Sequence, residues 1–195
     1  MSSEGLRWGI IGCGKIARTF ARDLTSFTTH RIAAVGSREM EKAERFAEEF
    51  GSVPYGSYEE LVDADIDAVY IATPHQLHAS NSILALNAGK PVLCEKPFAV
   101  NGQQAQEMID AAQKNQKLLM EAMWSRYLPH YQLIRKKIFA GELGDVLIIN
   151  ADHGQPLPAE KYYRLHAPEL AGGALLDLGI YPLSLTFMLL GKPDQ

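Results

Sequence analysis

The chain has 195 residues, 47% of them apolar, and a net charge of −4 at pH 7; that suffices for one domain and part of a second, with no basic excess to suggest a nucleic-acid partner. Two cysteines, Cys13 and Cys94, are too few for a disulfide framework, so a reducing, cytoplasmic setting is expected. The N-terminus lacks a basic segment leading into a long apolar one, and no apolar run nears the roughly 20 residues that span a bilayer, so neither a secretion signal nor a membrane partner is expected.

Apolar runs alternate with helix-period segments, the pattern of βαβ units and a parallel sheet. Residues 6–12 read as a buried first strand and 15–24 as an amphipathic helix. Arg31–Gly36 reads as a second strand, and Met40–Phe50 as a charged surface helix closed by Gly51. Val53–Tyr55 is a short third strand, after which Ser57 and Glu60 have the spacing of a capping box. A fourth strand is predicted over 68–72, a helix over 75–88 ended by Gly89, and a fifth strand over 91–94. Asn101 caps a helix reaching about residue 115, and 117–123 read as a sixth strand. Residues 1–123 thus predict an α/β fold, a doubly wound Rossmann sheet.

The character changes from residue 124 to 195, which reads as the start of an α+β substrate domain. Pro129–Phe139 is a basic amphipathic helix, 146–153 a strand, 155–168 a loop with three prolines, and 174–190 an apolar helix ended by Gly191. One strand leaves both its edges unpaired. The second domain is therefore expected to be truncated here or completed by a partner, and the chain alone is expected to turn over weakly or not at all.

Gly12-Cys13-Gly14-Lys15-Ile16-Ala17 fits G-x-G-x-x-A between a strand and a helix. Gly12 permits the tight turn, Gly14 lets backbone approach a pyrophosphate, and the helix start at Lys15 and Ile16 offers N–H groups to phosphate. The competing reading is a glycine turn without ligand; the strand–turn–helix context favours the nucleotide. The second strand ends Gly36-Ser37-Arg38 with no acid at its tip, where NAD-binding sheets place a carboxylate on the ribose. Ser37 and Arg38 suit a 2′-phosphate, with Lys42 adding charge, so NADP is preferred over NAD. The alternative is that Arg38 is solvated or stacks on adenine.

Thr73-Pro74-His75-Gln76-Leu77-His78 follows the fourth strand and Glu95-Lys96-Pro97 the fifth, at the strand ends where open α/β sheets bind ligands. His75 and His78 have metal-ligand types, but no third ligand is evident nearby. Asp177 and Tyr181, four apart in Gly172-Gly173-Ala174-Leu175-Leu176-Asp177-Leu178-Gly179-Ile180-Tyr181, are expected on one helix face. Singly, Lys96, Asp177 and Tyr181 read equally as surface, capping or half-buried residues.

Together these motifs resemble the glucose–fructose oxidoreductase/inositol dehydrogenase (Gfo/Idh/MocA) family, over residues 6 to about 190. Tyr55-Gly56-Ser57-Tyr58-Glu59-Glu60-Leu61 and Glu121-Ala122-Met123-Trp124-Ser125-Arg126 look like its branch of dimeric trans-dihydrodiol dehydrogenases and NADP-linked xylose dehydrogenases. The resemblance implies hydride transfer between NADP and a sugar, polyol or diol, in a homodimer or larger assembly if the second domain is complete. It implies that Lys96 binds the substrate hydroxyl and nicotinamide ribose, that Tyr181 is the acid/base and that Asp177 orients both. It places Thr73, Pro74, His75, His78 and Glu95 beside the cofactor, and it implies a cis bond before Pro97. Trp124 and Arg126 are substrate-pocket candidates, with interdomain core the equal alternative for Trp124; His153, Arg164 and His166 are weaker ones. A catalytically silent NADP-binding or interaction protein on the same fold is the alternative function.

Overall fold

The computed structural model describes residues 5–158, 160 and 162–193. Parts of two expectations, the N-terminal leader reading at 1–4 and the loop reading at 159 and 161, lie outside the described residues. The chain divides into two compact units, Met1–Ala122 and Met123–Gln195.

In the first unit six strands form one all-parallel sheet: β1 (Arg7–Ile11), β2 (Arg31–Gly36), β3 (Val53–Tyr55), β4 (Ala68–Ile71), β5 (Val92–Cys94) and β6 (Leu119–Glu121). Their order is β3-β2-β1-β4-β5-β6, so the winding reverses between β1 and β4. The helices α1 (Lys15–Phe27), α2 (Met40–Phe50), α3 (Tyr58–Val62), α4 (His78–Asn87) and α5 (Gly102–Asn115) connect them.

Strand residues alternate between the two faces. Ile10, Val35 and Tyr70 pack with Ala17, Ala21 and Phe46 of α1 and α2. Ile11, Val69 and Ile71 pack with Leu61, Leu86 and Met108 of α3, α4 and α5. Alanines at 17 and 21 on the buried stripe of α1 let that helix lie close to the sheet. Side chains fix the helix starts: Ser57 Oγ accepts from Glu60 N at 3.2 Å and Asn101 Oδ1 from Gln104 N at 2.9 Å. Gly51 ends α2 at φ 66°, in the left-handed region that glycine adopts without strain.

The second unit contains a 3-10 turn at Trp124–Tyr127 and the helices α6 (Pro129–Phe139), α7 (Tyr163–His166) and α8 (Ile180–Leu190). α6 packs on α8. Residues 146–153, expected as a strand, are irregular and largely exposed. A strand needs a neighbour's N–H and C=O groups, and no second strand stands among the described residues of this unit. The loop expected over 155–168 holds the single helical turn α7.

The helix expected over 174–190 starts as a π turn, Leu175–Gly179, and continues as α8. Pro168–Leu190, 23 residues holding an 18-residue stretch of mean hydropathy 1.6 that is 17% buried, is long and apolar enough by length and composition to cross a membrane, against the expectation of no such run. Positive φ at Ala171 and Gly173 interrupts it. What remains is the five-residue π turn and the eleven residues of α8, short of the roughly 20 that a bilayer requires.

Candidate active site

At the reversal point, Gly12 leaves β1 with φ 105°, and its N–H donates to Gly36 O at 3.0 Å. A Cβ there would stand 2.7 Å from the Ala72 carbonyl oxygen, so only glycine fits. A Cβ on Gly14 would meet nothing within 4 Å: the turn is open on that side. Lys15 and Ile16 are exposed at the start of α1, whose unbonded N–H groups face the same opening. This shape, closed beneath and open above, fits a pyrophosphate.

Ser37 is buried at the tip of β2, where its Oγ accepts from Glu39 N at 3.2 Å, and Arg38 beside it is exposed. The nearest acid, Glu39, is tied to Lys42 at 2.5 Å. The Lys42 ammonium holds the Glu39 carboxyl below its ordinary range. Sequence reasoning missed Tyr58, whose half-buried phenol is pushed up by burial and eased by the nearby charge of Arg38. Parallel pairing of Gly36 with Tyr55 brings the start of α3 beside the tip of β2. That neighbour relation was the signal available.

Beyond β4, Thr73, His75 and His78 are buried and Pro74 is half-buried. Asn81 Nδ2 donates to Thr73 Oγ1 at 3.2 Å, fixing the threonine rotamer. The two ring nitrogens of His78 lie 2.7 Å from Pro97 O and 2.9 Å from Thr73 O. Carbonyls only accept, so both bonds coexist only in the doubly protonated ring. His78 thus sits beneath the loops and pins one to the other.

Beyond β5, Glu95 is buried and Lys96 half-buried. Burial pushes the Glu95 carboxyl up against the opposing hydroxyl of Tyr70. Phe98 N donates to Glu121 Oε1 at 2.9 Å, and the Lys96–Pro97 bond is cis. Glu95 therefore turns into the protein, toward Tyr70 and the Lys96 backbone, rather than outward.

In the second unit, Trp124 Nε1 donates to Tyr181 Oη at 3.1 Å, and the two rings meet edge-on with centroids 5.9 Å apart. The His153 ring also lies beside the Tyr181 ring, with centroids 5.1 Å apart. Asp177 is 9% accessible. Asp177 lies in the π turn Leu175–Gly179 and Tyr181 in the first turn of α8, four residues on. Arg126 is exposed. His166 Nε2 is engaged by Leu157 O at 2.6 Å.

No group of three His, Cys, Asp or Glu side chains suited to a metal stands among the described residues. An apolar recess of about 330 Å³, lined by Phe98, Ile109, Ala112 and Leu119, lies at the β6 edge of the sheet and holds none of the motif residues.

The model of the oxidoreductase family with NAD-binding Rossmann fold matches residues 6–123, and that of the GFO/IDH/MocA C-terminal domain matches 131–195. The chain is 45% identical to D-xylose 1-dehydrogenase (NADP(+)) of Hypocrea jecorina, over 95% of this chain and 53% of that protein. It is 41% identical to trans-1,2-dihydrobenzene-1,2-diol dehydrogenase of Mus musculus, over 97% of this chain and 58% of that one. The chain thus spans little more than half of these curated relatives. Among solved structures it resembles a 3-ketoreductase from Actinomadura kijaniata in complex with NADP and TDP-benzene: TM-score 0.83, 32% identity, 96% of this chain and 58% of the other.

Proposed function

The chain belongs to the GFO/IDH/MocA oxidoreductase family, and on that premise we propose that it binds NADP and serves hydride transfer to or from a hydroxyl-bearing carbon of a sugar, polyol or trans-dihydrodiol. The observation that carries the cofactor reading is the tip of β2. Ser37 and Arg38 stand there while the nearest carboxylate, Glu39, is taken by Lys42. A ribose hydroxyl finds no carboxylate acceptor at this tip, whereas a 2′-phosphate finds a hydroxyl and a guanidinium fork.

Gly12, Gly14, Lys15 and Ile16 would hold the pyrophosphate, and Ser37 and Arg38 the 2′-phosphate. Thr73, Pro74 and His75 would flank the nicotinamide end, with His78 holding that loop from below. Bound there, the nicotinamide ring supplies the hydride chemistry. The chain's own part is proton chemistry and positioning. The Lys96 ammonium would hydrogen-bond the substrate hydroxyl. Tyr181 Oη would take that proton in oxidation and return it in reduction. The Trp124 N–H at the same oxygen is a donor placed where negative charge develops when the proton leaves. Asp177 would orient the base, and Trp124 and Arg126 would contact the substrate. Support for the substrate class comes from relatives named for D-xylose and a dihydrodiol, and from a solved structure named as a 3-ketoreductase. Two free thiols support the cytoplasmic reading; the homodimer rests on the family likeness alone.

The test is a fluorescence titration of the chain with NADPH and NADH, repeated with Arg38→Ala. NADPH is expected to bind the more tightly. Arg38→Ala should weaken it about tenfold or more, the loss of charge-assisted bonds worth about 1.5–3 kcal/mol, and leave NADH within about twofold. Equal binding of both, untouched by the substitution, would overturn the 2′-phosphate reading. Binding of neither by a folded sample would favour the silent scaffold.

A further inference from the structure

Tyr70 has no part in the reading above, yet it is the largest fully buried side chain of the sheet. It lies on β4, a strand buried along its whole length. A phenol in that position must bring its hydroxyl to a partner or leave it unsatisfied. Its ring is held firmly: Phe20 stacks on it with centroids 3.9 Å apart and planes 22° apart, and Trp8 meets Phe20 edge-on at 5.4 Å. The aim of the hydroxyl is therefore fixed by α1 and β1 as well as by β4.

That hydroxyl donates to Glu95 Oε1 at 2.5 Å. The other oxygen, Oε2, accepts from Lys96 N at 3.2 Å. Two donors on two oxygens is the arrangement of an ionised carboxylate. Glu95 is 8% accessible, so solvent does little to keep it charged. The hydrogen bond from Tyr70 opposes that burial more strongly than the Lys96 N–H does. On the far side of the same turn His78 reaches Pro97 O and Glu121 accepts from Phe98 N. Those two anchor Pro97 and Phe98; among these contacts only the Tyr70–Glu95 pair acts on Lys96 itself.

We propose that Tyr70 is a positioning residue: through Glu95 it holds the Lys96 backbone at the end of β5 and keeps a carboxylate charge beside it. The inference rests on the reading of Lys96 as the ammonium that meets the substrate hydroxyl. The titratable groups facing Glu95 are Tyr70 on β4, Cys94 and Lys96 along β5 and its turn, and Glu121 on β6. From α1 it is the apolar ring of Phe20 that backs Tyr70.

The test follows the backbone amide of Lys96 by nuclear magnetic resonance in the cofactor-free chain. Its nitrogen shift is recorded against pH, with hydrogen exchange measured alongside. The wild-type amide is expected to show one inflection as Glu95 titrates, absent in Glu95→Gln. Tyr70→Phe keeps the ring stack and removes one hydroxyl. It should raise the midpoint by at least about one pH unit, a tenfold change in proton affinity, and speed exchange of the Lys96 amide about tenfold. A midpoint that stays put in folded Tyr70→Phe overturns the proposal, because a role in packing alone leaves the titration where it was. Should Tyr70→Phe fail to fold, Glu95→Gln carries the test: a Lys96 amide as protected as in wild type overturns it, and faster exchange supports it. None of this needs NADPH or turnover, so its failure is separate from that of the cofactor titration.

Discussion

Asp67 enters β4 and clasps the entry to β1, the two strands on either side of the reversal point. Its Oδ2 accepts from Arg7 N at 2.8 Å and Arg7 Nε at 3.0 Å, and its Oδ1 from an Arg7 terminal nitrogen at 2.7 Å. The Arg7 side-chain bond, then the backbone bond, hold the Asp67 carboxyl at about 2 instead of the ordinary 3.8. At ~1.4 kcal/mol per pH unit this difference caps the contribution at about 2.5 kcal/mol. The Asp67 side chain is 32% accessible, and screening by solvent reduces the figure to about 1 kcal/mol. The folded value is the depressed one. The stabilisation is therefore complete above the unfolded value near 4 and is lost as pH falls toward 2. Urea unfolding of wild type and Asp67→Asn from pH 7 down to pH 2 measures it. The stability gap between the two proteins should narrow by about 1 kcal/mol, nearly all of it below pH 5. A gap that holds constant across that range would refute the reasoning, since the ion pair would then contribute nothing that protons remove.

The phosphate turn gives a paired prediction. Gly12→Ala forces a Cβ onto the Ala72 carbonyl at φ 105° and should cost about 2 kcal/mol or more of stability; Gly14→Ala should melt like wild type and bind NADPH at least about tenfold more weakly, about the 1.4 kcal/mol of crowding at the pyrophosphate. Thermal melts and the fluorescence titration separate the two, and equal losses of stability in both would count against the geometry. Burial pushes the Cys94 thiol up to about 12 and raises Cys13 as well. A thiol-reactive dye at pH 8 should label native protein at Cys13 alone and slowly, and both residues after unfolding; rapid double labelling of the native chain would contradict the buried position of Cys94.

The sheet and its loops were legible in the sequence because their signals are local. A strand, a glycine turn and a helix follow one another at Gly12–Ala17, and Ser57 and Asn101 cap the helices their spacing predicts. What escaped depends on neighbours distant in sequence. Tyr58 meets Arg38 only because β3 lies beside β2, and Tyr70 meets Glu95 only because β4 lies beside β5. Boundaries slipped where the stop is unusual. α1 runs to Phe27 and closes with Thr28 Oγ1 on Leu24 O, without a glycine. α5, by contrast, ends at Asn115 as expected, with Gln116 closing it in the left-handed region at φ 54°. Residues 146–153 alternate like a strand, but alternation says nothing of a partner, and the described residues of that unit hold none. The helix expected through Asp177 starts as a π turn, and no residue in Leu175–Gly179 announces it.

The sheet also tapers. Strands β1, β2 and β4 at its middle carry five, six and four residues, whereas β3 and β6 at the two edges, and β5 next to β6, carry three each. Pro54 at the middle of β3 lacks the N–H that an added strand would seek. An incoming chain thus finds at either margin a template too short to nucleate a ladder, and at one margin an interrupted one. The molecule is guarded against edge-to-edge aggregation by the shortness of both margins, with Glu121 adding a carboxylate to β6, and should tolerate concentration and long storage better than a sheet of the same size with full-length margins.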